Sequence, residues 1–241
     1  MRLDKLLGEL GFGSRNQVKK LIRSRLVTVD GCIAFGDNMN VDPSLQEILV
    51  RGEQLRWQES LYLIMNKPKG VVTARSDKKH PTVLDLLEDE DKMPGTYPVG
   101  RLDRDTEGLV LLTNNGPLGF RMLHPRYHVS KTYYVEVNGK LGVDAVHFFK
   151  EGISFLDGNK CQPAHLKLIS SAAVKSTAYV TLSEGKFHQI KRMVKACGKE
   201  VVDLQRLSMG PLQLDSQLQR GEFRRLMPEE REALEIFGVE L

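Results

Sequence analysis

Residues 100–116 read GRLDRDTEGLVLLTNNG, and the two halves of this stretch have opposite characters. The first half mixes basic and acidic residues, whereas the second half, from Gly108 to Thr113, is apolar. A short apolar run that ends in an Asn-Asn-Gly turn is typical of a buried β-strand. The stretch therefore predicts a strand inside a sheet, preceded by a charged loop of the kind that often carries a functional site.

The same pattern recurs on both sides of this strand. Apolar runs bounded by turn residues predict three further strands, at 61–65, 131–137 and 176–182. Strands that follow one another through short turns favour an antiparallel or mixed sheet. We therefore expect an α+β fold with a mixed, mostly antiparallel sheet flanked by helices.

Helices are fewer in this part of the chain. We expect them over about 83–87, over 142–150 and over 187–197. The last shows the clearest helical spacing, and Gly198 follows it at a position that favours helix termination. Its predicted buried face consists of Phe187, Ile190, Val194 and Cys197.

The N-terminal residues have a helical pattern instead. Leucines at helical spacing between Leu3 and Leu10 predict a first helix, and Ser14 opens a capping box with Gln17 at the start of a second. Residues 27–33 predict a strand and a tight hairpin around Asp30-Gly31. Because the pattern becomes strongly β near residue 59, we expect two domains, residues 1–59 and 60–241.

The positive charge of the chain is concentrated at its N-terminus. The first 30 residues hold seven basic and three acidic residues, whereas the remaining residues balance at 28 of each, which accounts for the net charge of +4. A second basic stretch, residues 185–199, contains no acid. Two such surfaces predict contact with a polyanion at two places, although charge runs also occur as merely solvated helix faces. The candidate phosphate-binding face on the second helix consists of Arg15, Lys19, Lys20 and Arg23.

Composition excludes several classes of protein. A chain with 41% hydrophobic and 27% charged residues is neither collagen-like, disordered nor a coiled coil. Its apolar runs are far shorter than the roughly 18 residues of a membrane-spanning helix, and its first residues resemble no targeting signal. Three widely spaced cysteines favour reduced thiols. We therefore expect a cytoplasmic protein that does not associate with membranes.

Common cofactor and metal motifs are missing from the sequence. It contains no glycine-rich phosphate or dinucleotide motif and no nucleophile-elbow motif. The six histidines are scattered, and those at positions 124 and 128 flank a proline. We therefore expect neither a metal nor a cofactor.

The charged loop at 101–107 leaves three interpretations open. It forms a solvated turn in which arginines pair with aspartates, or Asp103 and Asp105 together bind Mg²⁺ for group transfer, a role that the intervening arginines oppose. In the third interpretation one aspartate is a nucleophile, which requires an ionised carboxylate beside a cation in a pocket.

Three motifs stand out along the chain: GRLDRDTEGLVLLTN at 100–114, KTYYV at 131–135 and EGKFHQIKRM at 184–193. In order and approximate spacing they are similar to those of the pseudouridine synthases of the ribosomal small-subunit synthase A type. Residues 1 to about 48 resemble the S4 domain, an RNA-binding module first described in a small-subunit ribosomal protein.

The resemblance implies roles for particular residues. Asp103 matches the catalytic nucleophile, and Lys191 matches the basic residue that keeps this carboxylate ionised. Tyr133 matches the tyrosine that stacks on the target uracil and assists removal of the C5 proton. Arg101 would lie along the RNA or fill the gap left by the extruded nucleotide, and Arg192 would also contact RNA.

Neighbouring residues receive structural roles. Tyr134 should point to the opposite face of its strand from Tyr133, because side chains alternate along a strand. His188 and Gln189 should orient the start of the helix. Residues 66–68, Asn-Lys-Pro, match a strand end of the family that we interpret as structural.

The function implied by the resemblance is isomerisation of one uridine to pseudouridine in small-subunit (16S) ribosomal RNA, without a cofactor. The expected partner is this RNA or an assembly intermediate that contains it, and we expect a monomer. Alternatives are a synthase that acts on large-subunit ribosomal RNA, a non-catalytic RNA-binding ribosome-assembly protein, and a metal-dependent transferase.

Overall fold

A computed structural model describes residues 2–43, 45–55, 60–153, 155, 158 and 160–239. The chain divides into two compact units, one comprising Met1–Ser60 with Met93–Gly95 and the other Leu61–Lys92 with Thr96–Leu241. The domain boundary expected near residue 59 lies outside the described residues. Within the described ranges, no helix has the length and apolar character needed to cross a membrane.

The described residues of the first unit form two helices and a small antiparallel sheet with the strand order β2-β1-β3-β4. Its helices are α1 (Leu3–Glu9) and α2 (Arg15–Arg23). Its strands are β1 (Val27–Val29), β2 (Cys32–Ile33), β3 (Ile48–Val50) and β4 (Glu53–Gln54).

The local signals read from the sequence produce this unit. The Ser14 backbone N–H donates to Gln17 Oε1 at 2.7 Å, which fixes the start of α2 as the capping box predicts. Asp30 and Gly31 both have positive φ, +51° and +76°, as a tight β1–β2 turn requires. Both predicted helices and the hairpin are thus confirmed. The core between helices and sheet includes Leu3, Leu6, Leu7, Val18, Ile22, Val27 and Ile48.

In the second unit, nine of the described strands form one sheet. Its main order is β13-β5-β7-β11-β8-β10-β9, and β6 and β12 pair with β7 and β11 respectively. Among the described strand pairs, β7 and β11 are parallel and the others are antiparallel. The mixed, mostly antiparallel sheet of an α+β fold is therefore confirmed. The strands are β5 (Tyr62–Lys67), β6 (Tyr97–Val99), β7 (Glu107–Thr113), β8 (Lys131–Asn138), β9 (His165–Ser171), β10 (Lys175–Leu182), β11 (Val201–Met209), β12 (Leu212–Gln213) and β13 (Phe223–Arg225).

Helices cover this sheet and supply much of its core. Side chains from β5 and β7 pack with residues of the flanking helices, as Leu109, Leu118 and Leu234 illustrate. All seven residues of β7 are buried, which explains its nearly continuous apolar sequence. The helices are α3 (Gly116–Leu123), α4 (Val143–Glu151), α5 (Gln189–Ala196) and α6 (Pro228–Leu234).

The parallel contact between β7 and β11 depends on a glycine. Gly108 has a φ of +102° and lies opposite Arg206. A Cβ atom at position 108 would overlap the backbone of Arg206. Glycine is therefore required here both for its conformation and for the close approach of the two backbones.

The segment 83–87 was expected to be helical, and this expectation is wrong, because the segment forms consecutive turns. The Asp85 carboxylate accepts hydrogen bonds from the Thr82 N–H at 2.7 Å and the Thr82 hydroxyl at 2.9 Å. The Val83 N–H donates to the Val72 carbonyl at 3.0 Å, which ties the segment to a neighbouring stretch of chain. Side-chain and long-range partners of this kind compete with helical hydrogen bonds.

The helix expected over 187–197 exists but begins at Gln189. Phe187 is 76% exposed, so its assignment to the buried face is wrong. The reason is that His188 adopts a left-handed conformation, with φ of +51°, which interrupts helical geometry before α5 begins. The residues of α5 that are buried are Gln189, Ile190, Met193 and Val194.

Candidate active site

The loop between β6 and β7 carries the two aspartates of the charged stretch. Thr73 holds this loop at Leu102, because its hydroxyl donates to the Leu102 carbonyl at 3.0 Å and accepts from the Leu102 N–H at 3.1 Å. The Thr106 N–H donates to the Asp103 carbonyl at 3.1 Å and closes a turn. Asp103 therefore directly follows a buried residue, Leu102, whose N–H and carbonyl groups both form hydrogen bonds with Thr73. These bonds fix the backbone position of Asp103.

A buried lysine also forms hydrogen bonds with the backbone of this loop. Lys67 is fully buried at the end of β5, and its ammonium group donates to the carbonyls of Pro68 at 3.0 Å, Arg104 at 3.4 Å and Thr106 at 2.7 Å. Burial lowers the pKa of Lys67 to about 8, despite the opposing attraction of nearby carboxylates. We expect residues 66–68 to have a structural role, and Lys67 provides it, because its hydrogen bonds connect strand β5 to the loop that carries Asp103.

Helix α5 brings Lys191 to both aspartates. Its Nζ lies 3.0 Å from Asp103 Oδ2 and 2.6 Å from Asp105 Oδ1. The Asp103 side chain is 28% exposed and that of Asp105 is 69% exposed. Asp103 is thus the more enclosed carboxylate of the two.

Electrostatic attraction favours the charged forms of Lys191 and Asp105. Burial alone would lower the pKa of Lys191, but hydrogen bonds and negative charges from Asp105 and Asp103 outweigh it and raise this pKa. Burial likewise opposes ionisation of Asp105, yet the hydrogen bond and charge of Lys191 lower the pKa of that carboxyl group. His188 approaches the same cluster, with Nε2 3.6 Å from Asp103 Oδ1.

Tyr133 lines the same cleft as Asp103, Lys191 and Arg101. The tyrosine points inward from β8 and is only 9% exposed. Tyr134 alternates to the other face of the sheet, where its ring packs edge-on against Tyr179 with centroids 6.4 Å apart. The structure thus brings together three residues that are widely separated in sequence, and the expected difference between the two tyrosines is confirmed.

Gln189 shapes the turn that precedes α5. Its side-chain oxygen accepts from the Lys186 N–H at 2.9 Å, and its side-chain nitrogen donates to Glu184 at 2.6 Å. The partners in these two hydrogen bonds, Lys186 and Glu184, both precede α5 in the chain. They agree with the expectation that Gln189 orients the helix start, which in turn sets the position of Lys191.

The candidate RNA-binding residues occupy several environments. The Arg192 guanidinium lies 3.7 Å above the Phe155 ring. On α2, Lys19 pairs with Asp37 at 3.0 Å, and Arg15 lies 3.8 Å from Asp4. The exposed members of the α2 set are Arg15, Lys20 and Arg23. Their contacts with RNA remain predictions.

The arrangement around Lys191 also bears on the magnesium interpretation. A divalent cation shared by Asp103 and Asp105 would have to approach the ammonium group that already contacts both carboxylates. In the described part of the chain, no three histidine, cysteine, aspartate or glutamate residues form a group that could hold a metal ion. The donor set therefore fits an ion-paired carboxylate better than a metal site.

Sequence reasoning missed two features of this site. The contacts of Lys67 were missed because a lysine at a strand end is ordinarily exposed. Phe187 was missed as a cleft residue because its spacing matches the buried face of α5. The signal that could have revealed Phe187 is the pair of polar residues directly after it, His188 and Gln189, which begin the helix.

Comparison with known proteins identifies the family. The family described as RNA pseudouridylate synthase matches residues 61–196, and the S4 domain matches residues 1–34. The chain is 44% identical over 230 residues to the uncharacterized RNA pseudouridine synthase YtzG of Bacillus subtilis (strain 168), covering 95% of this chain and 96% of that one. It is 38% identical over 232 residues to the ribosomal small subunit pseudouridine synthase A of Escherichia coli (strain K12), covering 95% and 98% respectively.

A solved structure agrees with the sequence comparison. The crystal structure of a pseudouridylate synthase superposes with a TM-score of 0.68 at 33% identity, covering 97% of this chain and 99% of that chain. The predicted fold is therefore confirmed as an S4 domain joined to a pseudouridine synthase domain. The chain belongs to the RNA pseudouridylate synthase family and is an RNA pseudouridine synthase.

Proposed function

We propose that this enzyme converts one specific uridine of small-subunit (16S) ribosomal RNA to pseudouridine, with Asp103 as the nucleophile and without a cofactor. The observation that carries the proposal is the pairing of Asp103 with Lys191 at 3.0 Å in the cleft that Tyr133 lines. The small-subunit target is supported by the relative from Escherichia coli, whose name specifies that subunit. We further propose that the enzyme acts as a monomer in the cytoplasm.

The reaction balances without any external reagent. The bond between uracil N1 and ribose C1′ breaks, the base turns, and a new bond joins C5 to C1′. C5 loses a proton and N1 gains one, so no electrons leave or enter the substrate. Attack by Asp103 on the sugar or on the base ring requires an ionised carboxylate, which the Lys191 ammonium stabilises.

The other cleft residues have complementary roles in this proposal. Tyr133 offers an aromatic face to the uracil and a phenol that assists proton transfer at C5. When Asp103 becomes bonded to substrate and loses its charge, Asp105 still holds Lys191 in place at 2.6 Å. Because a stacked base cannot reach a carboxylate, the uridine must be single-stranded or flipped into the cleft.

The S4 domain contributes affinity in this proposal. Cations on α2 would contact phosphates, which gives sequence-tolerant and salt-dependent binding. Arg101, exposed at the cleft, would contact the RNA near the target. The catalytic unit would then recognise a local RNA shape around the uridine.

Tritium release from small-subunit ribosomal RNA labelled at uridine C5 tests the nucleophile. Asp103→Asn should abolish release, because an amide cannot replace the carboxylate. Asp105→Asn is the matched control, since it removes the more exposed carboxylate on the same lysine, and its rate should fall by less than about fivefold. Release by Asp103→Asn at the wild-type rate would show that another residue is the nucleophile.

Two further measurements separate the alternatives. Mapping pseudouridines in a strain that lacks this protein should reveal one missing site in small-subunit RNA, and a missing site in large-subunit RNA would contradict the proposed target. Tritium release should persist in EDTA, and its loss on chelation would favour the metal-dependent alternative.

A further inference from the structure

Phe187 is an aromatic side chain that the proposed chemistry does not use. It is 76% exposed, yet it lines a cavity of about 640 Å³ that also contains Asp103 and Lys191. Single exposed apolar residues are common on protein surfaces, but this one lies beside the candidate nucleophile. Its position in the cavity therefore favours a ligand with an apolar face.

The ring of Phe187 is braced by its neighbour. Its centroid lies 3.8 Å from that of His188, and the two rings are nearly parallel, at 19°. His188 is itself fixed by its left-handed backbone and by the approach of its Nε2 to Asp103 Oδ1 at 3.6 Å. One face of the Phe187 ring is therefore covered by His188, which in turn approaches the candidate nucleophile Asp103. The other face of the ring is exposed and lies toward the cavity.

The cleft around Asp103 has two adjoining lobes. One lobe is lined by Tyr133 and the other by Phe187, and both share Asp103 and Lys191. A flipped uracil stacked on Tyr133 would fill the first lobe. The strand that carries it would continue past Asp103, which places the next nucleotide at the second lobe.

The charges around the second lobe favour a polyanion. Its lining holds four basic side chains, those of Arg101, Arg104, Lys186 and Lys191, and two carboxylates, those of Asp103 and Asp105. The excess of cations attracts the phosphates that accompany a base. An exposed aromatic ring in a groove with an excess of cations is the combination that binds unstacked bases of a single strand.

We propose that Phe187 is a stacking platform for the base adjacent to the target uridine. This inference rests on the proposed function, because it assumes that the target uridine enters the lobe lined by Tyr133. Flipping a nucleotide removes a stacking partner from its neighbour, and the ring of Phe187 replaces that partner. Phe187 thus helps to hold the RNA in its flipped form.

Substitutions at position 187 test the proposal through kcat/KM for tritium release from small-subunit ribosomal RNA. Phe187→Leu keeps apolar packing against His188 but removes the aromatic face, and kcat/KM should fall about 5- to 150-fold, the range expected for loss of one base–aromatic stack. Phe187→Trp should retain the wild-type value. Both variants should keep the wild-type salt dependence, because no phosphate contact is lost.

A matched control comes from the same unit. Phe148 on α4 is 51% exposed and is not among the described residues that line either lobe. Phe148→Ala should leave kcat/KM unchanged. A Phe187→Leu variant with wild-type kcat/KM, or a Phe148→Ala variant with an equal loss, would overturn the proposal.

A binding assay separates this inference from the proposed substrate. The probe is a short oligouridylate with one central 2-aminopurine, a base whose fluorescence is quenched by stacking. Wild type and Phe187→Trp should quench it, and Phe187→Leu should not. If wild type releases no tritium from small-subunit RNA while the quench still depends on the ring, the proposed target is wrong and the stacking platform stands. A quench that is equal in wild type and Phe187→Leu would overturn the platform.

Discussion

The ion pair between Lys191 and Asp103 makes a quantitative prediction for Lys191→Met. Methionine preserves much of the length and apolar volume of the lysine side chain but removes its charge. Two unit charges 3.0 Å apart attract by about 5.5 kcal/mol at an effective dielectric constant of 20. About a quarter of each side chain is exposed, 23% for Lys191 and 28% for Asp103, and this contact with solvent screens the attraction.

If solvent screening halves the attraction, about 3 kcal/mol is lost in Lys191→Met, which corresponds to a rate lower by on the order of 100-fold. The loss should appear in the single-turnover rate of tritium release at saturating RNA, because in the proposed mechanism Lys191 stabilises the reacting carboxylate. RNA affinity should change little. Lys191→Arg keeps the positive charge and should retain much more activity than Lys191→Met.

Lys195 provides the control for this experiment. It lies one turn further along α5 and is exposed. Lys195→Met should therefore react at the wild-type single-turnover rate once RNA is saturating. A Lys191→Met variant that also reacts at the wild-type rate would refute the electrostatic reasoning, because the charge would then be unnecessary for the chemistry.

Two other predictions concern RNA binding and stability. Lys19→Ala should reduce the slope of log affinity against log salt by about 0.7 to 0.9 without changing the single-turnover rate. An unchanged slope would exclude Lys19 from phosphate contact. Asp37→Asn removes the carboxylate that lies 3.0 Å from the Lys19 ammonium group, and it should therefore strengthen RNA binding. Burial, with repulsion from Arg206, lowers the pKa of Lys131 from 10.5 to about 8, so the folded protein releases a proton that the unfolded chain keeps. Between these two pH values the free energy of unfolding of wild type should therefore rise by up to about 3 kcal/mol more than that of Lys131→Met. Urea unfolding at both ends of this range measures the difference, and parallel pH profiles would contradict it.

Much of the fold was predictable from local sequence signals. The capping box of Ser14 and Gln17 and the Asp30-Gly31 turn act within a few residues, so their structural effects follow directly from residue type. Strand β7 was equally clear, because burial on both faces requires an unbroken apolar run. Such features depend little on the rest of the molecule.

Features that depend on distant residues were harder to predict. Strand β11 was not anticipated, because Arg206 interrupts its apolar pattern, and only in the folded sheet does Arg206 Nε find the Leu109 carbonyl at 2.8 Å. The apolar run at 83–87 looked helical because its competing partner, Val72, lies outside the segment.

The candidate site shows the same division. Residue chemistry alone left Asp103 and Asp105 open to three interpretations. The motifs at 131–135 and 184–193 supplied Tyr133 and Lys191 through resemblance to a family, since nothing in local spacing brings these residues near the loop. Their proximity is a property of the sheet and of α5, while their roles remain predictions until variants are assayed.

The position of β11 has a consequence for synthesis of the enzyme. This strand, Val201–Met209, lies between β7 and β8 although it follows both in the chain. During translation, the backbone edges of β7 and β8 that pair with β11 therefore remain unpaired until residues beyond 200 leave the ribosome. The affected edge covers only the start of β7 but nearly the whole of β8. The S4 domain is complete much earlier, so a nascent chain could hold RNA before its cleft exists. Stalled or truncated chains would expose these edges to pairing with one another, which makes them prone to aggregate.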